Sequence, residues 1–294
     1  MAGALFLVGT PIGNLADLSE RARDTLASVD LIAAEDTRRT GRLLSGLGLK
    51  KPLVSMFEGN EEARARELLD RLESGLDVAV VVDGGMPGIS DPGYRIVRLA
   101  AERGIDVRVV PGPSAVLAAL VVSGLPTDRS AFEGFLPRRP GDRAARLRAV
   151  RDDERTLVFF ESPRRTPALL REIATILGDR RVALCRELTK LHEEVRRGTA
   201  RELLEGLRDE TLRGEVVLVV EGAPDPAAPN RAALLPEVRR LVDEGMKPRE
   251  AARAVAERHG ASANELYRAL VAAGDEGPHP SPEAGLRTPG DVGP

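Results

Sequence analysis

Asp77–Gly93 reads DVAVVVDGGMPGISDPG, an unbroken apolar run from Val78 to Val82 that ends in a turn of Gly and Pro. A strand that is apolar on both faces is one covered by helices on each side of a sheet. Working outward, β-rich runs at Ala4–Val8, Leu31–Ala34, Leu53–Ser55, Asp77–Val82 and Val107–Val110 alternate with helical periods at Leu18–Ala27, Thr37–Leu47, Glu61–Glu73 and Tyr94–Arg103. That alternation predicts an open, mostly parallel α/β layer. Beyond Pro113, strands are expected at Ala131–Leu136, Thr156–Phe160, Val182–Arg186, Glu193–Thr199 and Glu215–Val220. The closing connections there are short enough for antiparallel pairing, which predicts a mixed sheet.

Ala223–Asn230, APDPAAPN, is a linker by composition. After it, Leu234–Glu244, Pro248–His259 and Ala263–Ala272 read as short helices, and the Gly- and Pro-dense Gly274–Pro294 reads as disordered. The expected class is therefore α/β, with an N-terminal α/β domain over residues 1–112 and a C-terminal α/β domain over 113–223. A helical extension over 231–274 and a tail over 275–294 follow.

The chain's 294 residues, at roughly 150 per domain, are enough for two cores that need no disulfide or metal staple. Cys185 is the single cysteine, and His192, His259 and His279 are far apart, so neither a disulfide framework nor zinc-ligand spacing exists. No metal is expected, and a reducing cytoplasm is the expected location. The MAGALFLVGTP start has no basic leader region, and the longest later apolar run, Ala115–Val122, falls far short of the roughly 20 residues of a membrane span. Lysine occurs only at 50, 51, 190 and 247; arginine supplies the rest of the positive charge, a bias that GC-rich coding alone can produce.

Four expected strand ends carry unusual loops: VGTPIGNL at Val8–Leu15, DGGMPGISDPG at Asp83–Gly93, VPGPSA at Val110–Ala115 and FFESPRR at Phe159–Arg165. In open α/β sheets ligands bind outside the carboxyl ends of strands, and Gly-rich loops let a ligand approach the main chain closely. Each loop alone reads equally well as an ordinary turn; four together indicate a site. The G-x-x-x-x-G-K-[ST], G-x-G-x-x-G and G-x-S-x-G patterns are all missing, which argues against a P-loop enzyme, a dinucleotide dehydrogenase and a serine hydrolase.

Two polar clusters follow strands. Glu35, Asp36, Thr37, Arg38 and Arg39 form one, in which Asp36 or Thr37 serves equally well as a helix cap. Arg186, Glu187 and Lys190 form the other, within CRELTKLHEE, where exposed ion pairs are the plainer reading. A lysine, unlike an arginine, can lose its proton and act as a base.

Taken together, VGTPIGNL, AEDTRRT, ISDPG, VPGPSA, SGLPTDR, FEGFLPR, FFESPRR, RELTK and GEVVLVVEG stand in an order that resembles the RsmI-type 16S rRNA (cytidine-2′-O)-methyltransferases of the tetrapyrrole methylase superfamily. The resemblance runs from about Leu5 to Ala223. It implies two α/β domains with S-adenosylmethionine in the cleft between them, usually in a homodimer that acts on 16S rRNA within the small ribosomal subunit. It also implies a cofactor site at Pro11, at Asp83, Gly84, Gly85, Met86 and Pro87, at Ser90 and Asp91, and at Pro113, Ser114 and Ala115. From the second domain it adds Phe135, Phe159, Phe160, Glu161 and Ser162.

The chain departs from the family at several points. Ser55–Glu61 reads SMFEGNE where an aromatic and two histidines are frequent, and Gly84–Pro87 reads GGMP where A-G-T-P is frequent. Arg164 takes a common histidine position, and Asn264 and Glu265 stand where the family often has a basic pair.

Sulfonium methyl transfer is an in-line displacement that depends first on alignment, and a ribose hydroxyl then needs its proton removed. Lys190 with Glu187 is the leading expected pair, with Glu35 or Asp36 as the alternative base. The formal net charge of −3 sits awkwardly with RNA binding, but arginines cluster around one helix of the second block. Arg38, Arg39, Arg138, Arg139, Arg143 and Arg186 are the expected RNA contacts, against a plainer reading of a solvated face neutralised by Asp142, Asp152, Asp153 and Glu154. A small-molecule methylase would need the cofactor loops but not RELTK or the arginines. A non-catalytic rRNA-binding assembly factor would need the reverse.

Overall fold

The computed structural model describes residues 2–208, 210–224 and 231–272. The expected disordered tail and most of the linker lie outside these residues. The described chain forms one compact unit ending at Ala223 and a second unit after it.

The first sheet consists of β1 (Leu5–Val8), β2 (Leu31–Ala34), β3 (Leu53–Ser55), β4 (Val78–Val81) and β5 (Val107–Val110), in the order β3-β2-β4-β1-β5. Every pairing is parallel, with Phe6 opposite Ala79 on one side of β1 and opposite Arg108 on the other. All four residues of β4 are buried, as a strand without a polar face must be. Its side chains alternate between two cores. Val78 and Val80 pack with Leu68 and Leu72 of α3 (Glu61–Glu73) and Ile96 of α4 (Tyr94–Glu102). Ala79 and Val81 pack with Leu26 of α1 (Glu20–Ser28) and Leu44 of α2 (Thr37–Gly46). Helix α1 begins two residues later than the period predicts, because Ser19 caps it by accepting a bond from the Ala22 amide at 3.1 Å.

The second sheet holds β6 (Ser130–Phe135), β7 (Thr156–Glu161), β8 (Arg181–Arg186), β9 (Glu194–Thr199) and β10 (Val216–Val220), ordered β6-β7-β10-β8-β9. Only β6 and β7 run parallel, so the sheet is mixed, as expected. One face packs on α6 (Pro140–Ala149), α7 (Thr166–Ile176) and α8 (Ala200–Gly206). The other is covered by α5 (Ala115–Ser123), the apolar run that was too short to span a membrane. Cys185 lies under α5, and burial pushes its thiol up to about 11, which suits a packing role.

The second unit contains α9 (Arg231–Asp243), α10 (Pro248–His259) and α11 (Ala263–Ala272) around Val238, Ala252, Val255 and Leu266. No helix among the described residues is long and apolar enough to cross a membrane.

Candidate active site

The carboxyl ends of β1, β4 and β5 meet main chain to main chain. A Cβ on Gly9 would stand 2.7 Å from the Gly112 nitrogen and from Met86 Sδ, so only glycine permits this approach. Thr10 and Gly85 exchange two backbone hydrogen bonds of 3.0 Å, and the Thr10 hydroxyl donates to the Val82 carbonyl at 3.0 Å. The chain leaves β1 and β4 toward opposite faces of the sheet, the arrangement that opens a crevice in α/β folds.

A cavity of about 420 Å³ opens there, within the range of small-molecule sites. From the first sheet it is lined by Ile12, Glu35, Arg39, Asp83, Gly84, Gly85, Met86, Ile89, Ser90 and Asp91. Ser114, Ala115 and Val116 enter from the start of α5, and Phe135, Phe160, Glu161, Ser162 and Pro163 from the second sheet; Gly214–Val217 complete it. Phe135 is 62% exposed and meets the Phe160 ring edge-on at 5.4 Å, forming an aromatic wall.

Several expected site residues stand elsewhere. Phe159 is 0% exposed and belongs to the core beneath α7, because adjacent residues of a strand point to opposite faces; its expected lining role is corrected to packing. Pro11 lines a smaller adjoining recess with Leu15, Thr40 and Leu43, sharing Asp83 and Arg39 with the main cavity. Pro87 and Pro113 are not on the wall; Pro113 contributes its carbonyl near Gly85.

Five carboxylates line the cavity: Glu35, Asp83, Asp91, Glu161 and Glu215. Asp83 pairs with Arg39 at 3.0 Å, and Glu35 accepts a bond from the Asp83 amide at 3.2 Å. Asp91 has no hydrogen bond or ion pair among the described residues; partial burial, then the charges of Glu35 and Asp83, raise its carboxyl to about 6. Its loop is tightly held: Gly88 donates to the Pro92 carbonyl at 3.1 Å, and Ser90 sits at a φ of 63°. From behind, the buried Glu61 carboxylate accepts bonds from the Gly93 and Arg95 amides at 2.9 and 3.1 Å. Sequence reasoning placed Glu61 only at a helix start; its grip on the loop 32 residues away leaves no local signal.

The RELTK turn is strained, with Glu187 and Thr189 at φ values of 49° and 67°. Lys190 Nζ donates to Glu187 Oε1 at 2.8 Å and lies 3.2 Å from Glu215 Oε2. Burial pulls the Lys190 ammonium down, but Glu187 and Glu215 together hold it above the usual lysine value. Burial likewise pushes Glu187 up, yet the Lys190 bond and the Glu215 amide hold it below the usual carboxylate range. In this arrangement Lys190 stands as a cation and Glu187 as its anchor. Asp36 caps α2 and hydrogen-bonds to Arg38, which holds its carboxyl far below the ordinary range, so it is a poor proton acceptor.

Among the arginines, Arg138 and Arg139 are exposed before α6 with no ion pair among the described residues. Arg38 and Arg39 are exposed but paired to Asp36 and Asp83. Arg186 pairs with Glu194 at 3.0 Å. Arg143 is 6% exposed and grips Glu172 through two bonds of 2.6 Å; its expected RNA contact is corrected to a structural pair.

The fold and crevice define a class, and residues 4–204 match the family model of tetrapyrrole (corrin/porphyrin) methylases. The chain belongs to that family. It is similar to ribosomal RNA small subunit methyltransferase I of Xylella fastidiosa, with 46% identity over 271 residues, 90% of this chain and 98% of that one. The protein of the same name from Thermotoga maritima is 49% identical over 220 residues, 75% of this chain and 99% of that one. A solved uroporphyrin-III C-methyltransferase from Thermus thermophilus, complexed with S-adenosylhomocysteine, has a TM-score of 0.52 at 22% identity, over 74% of this chain and 97% of that chain. At that identity the likeness is one of fold.

Proposed function

We propose that this protein is an S-adenosylmethionine-dependent enzyme that methylates the 2′-hydroxyl of a cytidine in 16S rRNA, within the small ribosomal subunit. The observation that carries the reading is a cavity built from the four Gly- and Pro-rich loops in a chain 46% identical to a small-subunit rRNA methyltransferase.

The cavity residues fit the methyl donor. Close packing of Gly9 on Gly112 and of Gly84 on the Pro11 carbonyl leaves a wall of main chain at Gly84–Met86. Phe135 and Phe160 suit a flat heteroaromatic base, and Glu35 and Asp83 suit a ligand carrying cationic groups. When bound, the donor supplies an electrophilic methyl group on a positively charged sulfur. The chain's own contribution is to align the acceptor hydroxyl and exclude water.

Arg38, Arg39, Arg138, Arg139 and Arg186 are the proposed phosphate contacts, in spite of the overall acidic balance. We further assign a homodimer to this protein, formed through the outward face of α5 and the edge of the first sheet. Leu117 and Val121 on α5 are 62% and 72% exposed, and Val109 on the edge strand β5 is 58% exposed. The cytoplasm is the proposed location, since the substrate is ribosomal.

Nucleoside mass spectrometry of 16S rRNA from a deletion strain tests the function. Loss of a 2′-O-methylated cytidine, restored by the purified protein acting on isolated small subunits, is expected. An unchanged nucleoside profile, with methylation of a tetrapyrrole instead, would replace this reading by that of a small-molecule methylase.

A further inference from the structure

We propose that Asp91 is the catalytic residue that takes the proton from the acceptor hydroxyl, an inference that rests on the rRNA 2′-O-methylation proposed above. Five carboxylates line the cavity, and four of them hold partners: Asp83 the Arg39 guanidinium, Glu35 the Asp83 amide, Glu161 the Arg165 guanidinium and Glu215 the Lys190 ammonium. Asp91 alone of the five has both oxygens without a partner among the described residues. A base must present a lone pair to its substrate, and Asp91 presents both of its oxygens with no competing hydrogen bond among the described residues.

The loop presents this group rigidly. The Gly88–Pro92 bond closes it, Glu61 pins it from behind at Gly93 and Arg95, and Ser90 is held in the left-handed region between them. Strain kept at a cavity-facing residue by surrounding bonds is the pattern of a positioned catalytic group. On the opposite side, a Cβ at Gly134 of β6 would stand 3.1 Å from Ser90 Oγ, so the second sheet also abuts this loop. The other charged groups at the cavity are occupied elsewhere: Glu161 by Arg165, and Glu215 by Lys190.

The step balances as follows. The 2′-oxygen forms a bond to the methyl carbon while the carbon–sulfur bond breaks and its electron pair stays on sulfur. The hydroxyl proton passes to an Asp91 oxygen and then to solvent. Partial burial beside Glu35 and Asp83 raises the Asp91 carboxyl to about 6, nearer to neutrality than an ordinary aspartate, which favours proton acceptance at physiological pH. Turnover is therefore expected to rise with pH through that value.

The test compares full-length wild type with Asp91→Asn on small subunits lacking the modification, and measures S-adenosylhomocysteine affinity by calorimetry. The expected result is a fall in kcat of about 100-fold or more, with loss of the acidic limb of the pH profile. Cofactor-product affinity is expected to stay within about twofold, which also shows that the variant is folded. Wild-type kcat in Asp91→Asn overturns the proposal. So does a loss of S-adenosylhomocysteine affinity matching the loss of rate, which would make Asp91 a ligand for the methionine part. A wild-type protein that binds S-adenosylhomocysteine yet leaves the subunit unmethylated overturns the proposed function, and this inference with it.

Discussion

The Lys190 side chain lies directly over Gly13: a Cβ added at Gly13 would run into Lys190 Cγ, with Thr189 Oγ1 at 2.9 Å and Lys190 Cε at 3.0 Å. A loop leaving the first sheet is thereby fitted under a strained turn of the second, and the ammonium above it is tied to Glu187 and Glu215. Gly13→Val is expected to displace Lys190 and lower kcat while the protein stays folded, as read by circular dichroism alongside subunit methylation. Retained turnover in Gly13→Val would show that this contact is dispensable.

Glu61→Ala removes the acceptor for the Gly93 and Arg95 amides, one of them buried. Leaving such groups unsatisfied costs about 2 kcal/mol. Urea denaturation should show a lower midpoint, and calorimetry a weaker S-adenosylhomocysteine affinity, because the loop that faces the cavity loses its anchor. A drop in stability with unchanged affinity would confine Glu61 to the fold.

Neighbouring phenylalanines should respond in opposite ways to truncation. Phe159→Ala, in the core, is expected to cost about 3–5 kcal/mol of stability. Phe135→Ala, on the cavity wall, should leave stability nearly unchanged and weaken S-adenosylhomocysteine binding by about tenfold.

Arg138→Ala combined with Arg139→Ala should lower RNA affinity and reduce the slope of log affinity against log salt by about 2. Arg143→Ala should leave that slope unchanged and cost about 3 kcal/mol, since it strips the partner from Glu172 inside the fold. Titrations at several salt concentrations, beside denaturation curves, separate the two effects.

Asp91 also carries a stability signature. A carboxyl raised in the folded state from 3.8 to about 6 means that the native protein binds more protons than the unfolded chain between those values. Stability therefore falls as pH rises through that window and stays reduced above it. The group is partly solvated, so screening makes the effect smaller than the shift alone implies. Asp91→Asn should raise the Tm at neutral pH, and the gain should shrink as pH falls from about 6 to about 4. A Tm difference independent of pH would contradict the burial of this carboxylate.

The architecture was legible from the chain alone, because its information is local and periodic. Val78–Val82 has no polar face, so it had to be a covered strand, and the β/α alternation around it admits few layouts. The glycines of VGTPIGNL, DGGMPGISDPG and VPGPSA likewise marked where main chains approach each other, and Gly9 against Gly112 is the contact that requires them. Tertiary structure alone decided which polar groups remain available for chemistry. Lys190, Asp36 and Arg143 look reactive or cationic in sequence, but each is held by a partner: Glu187 and Glu215, Arg38, and Glu172. Asp91 looks like an ordinary turn aspartate and is the cavity carboxylate without a partner among the described residues. Protonation and availability depend on burial and on charges brought together from distant segments, as Glu35 and Asp83 are around Asp91, and sequence spacing carries no record of those distances.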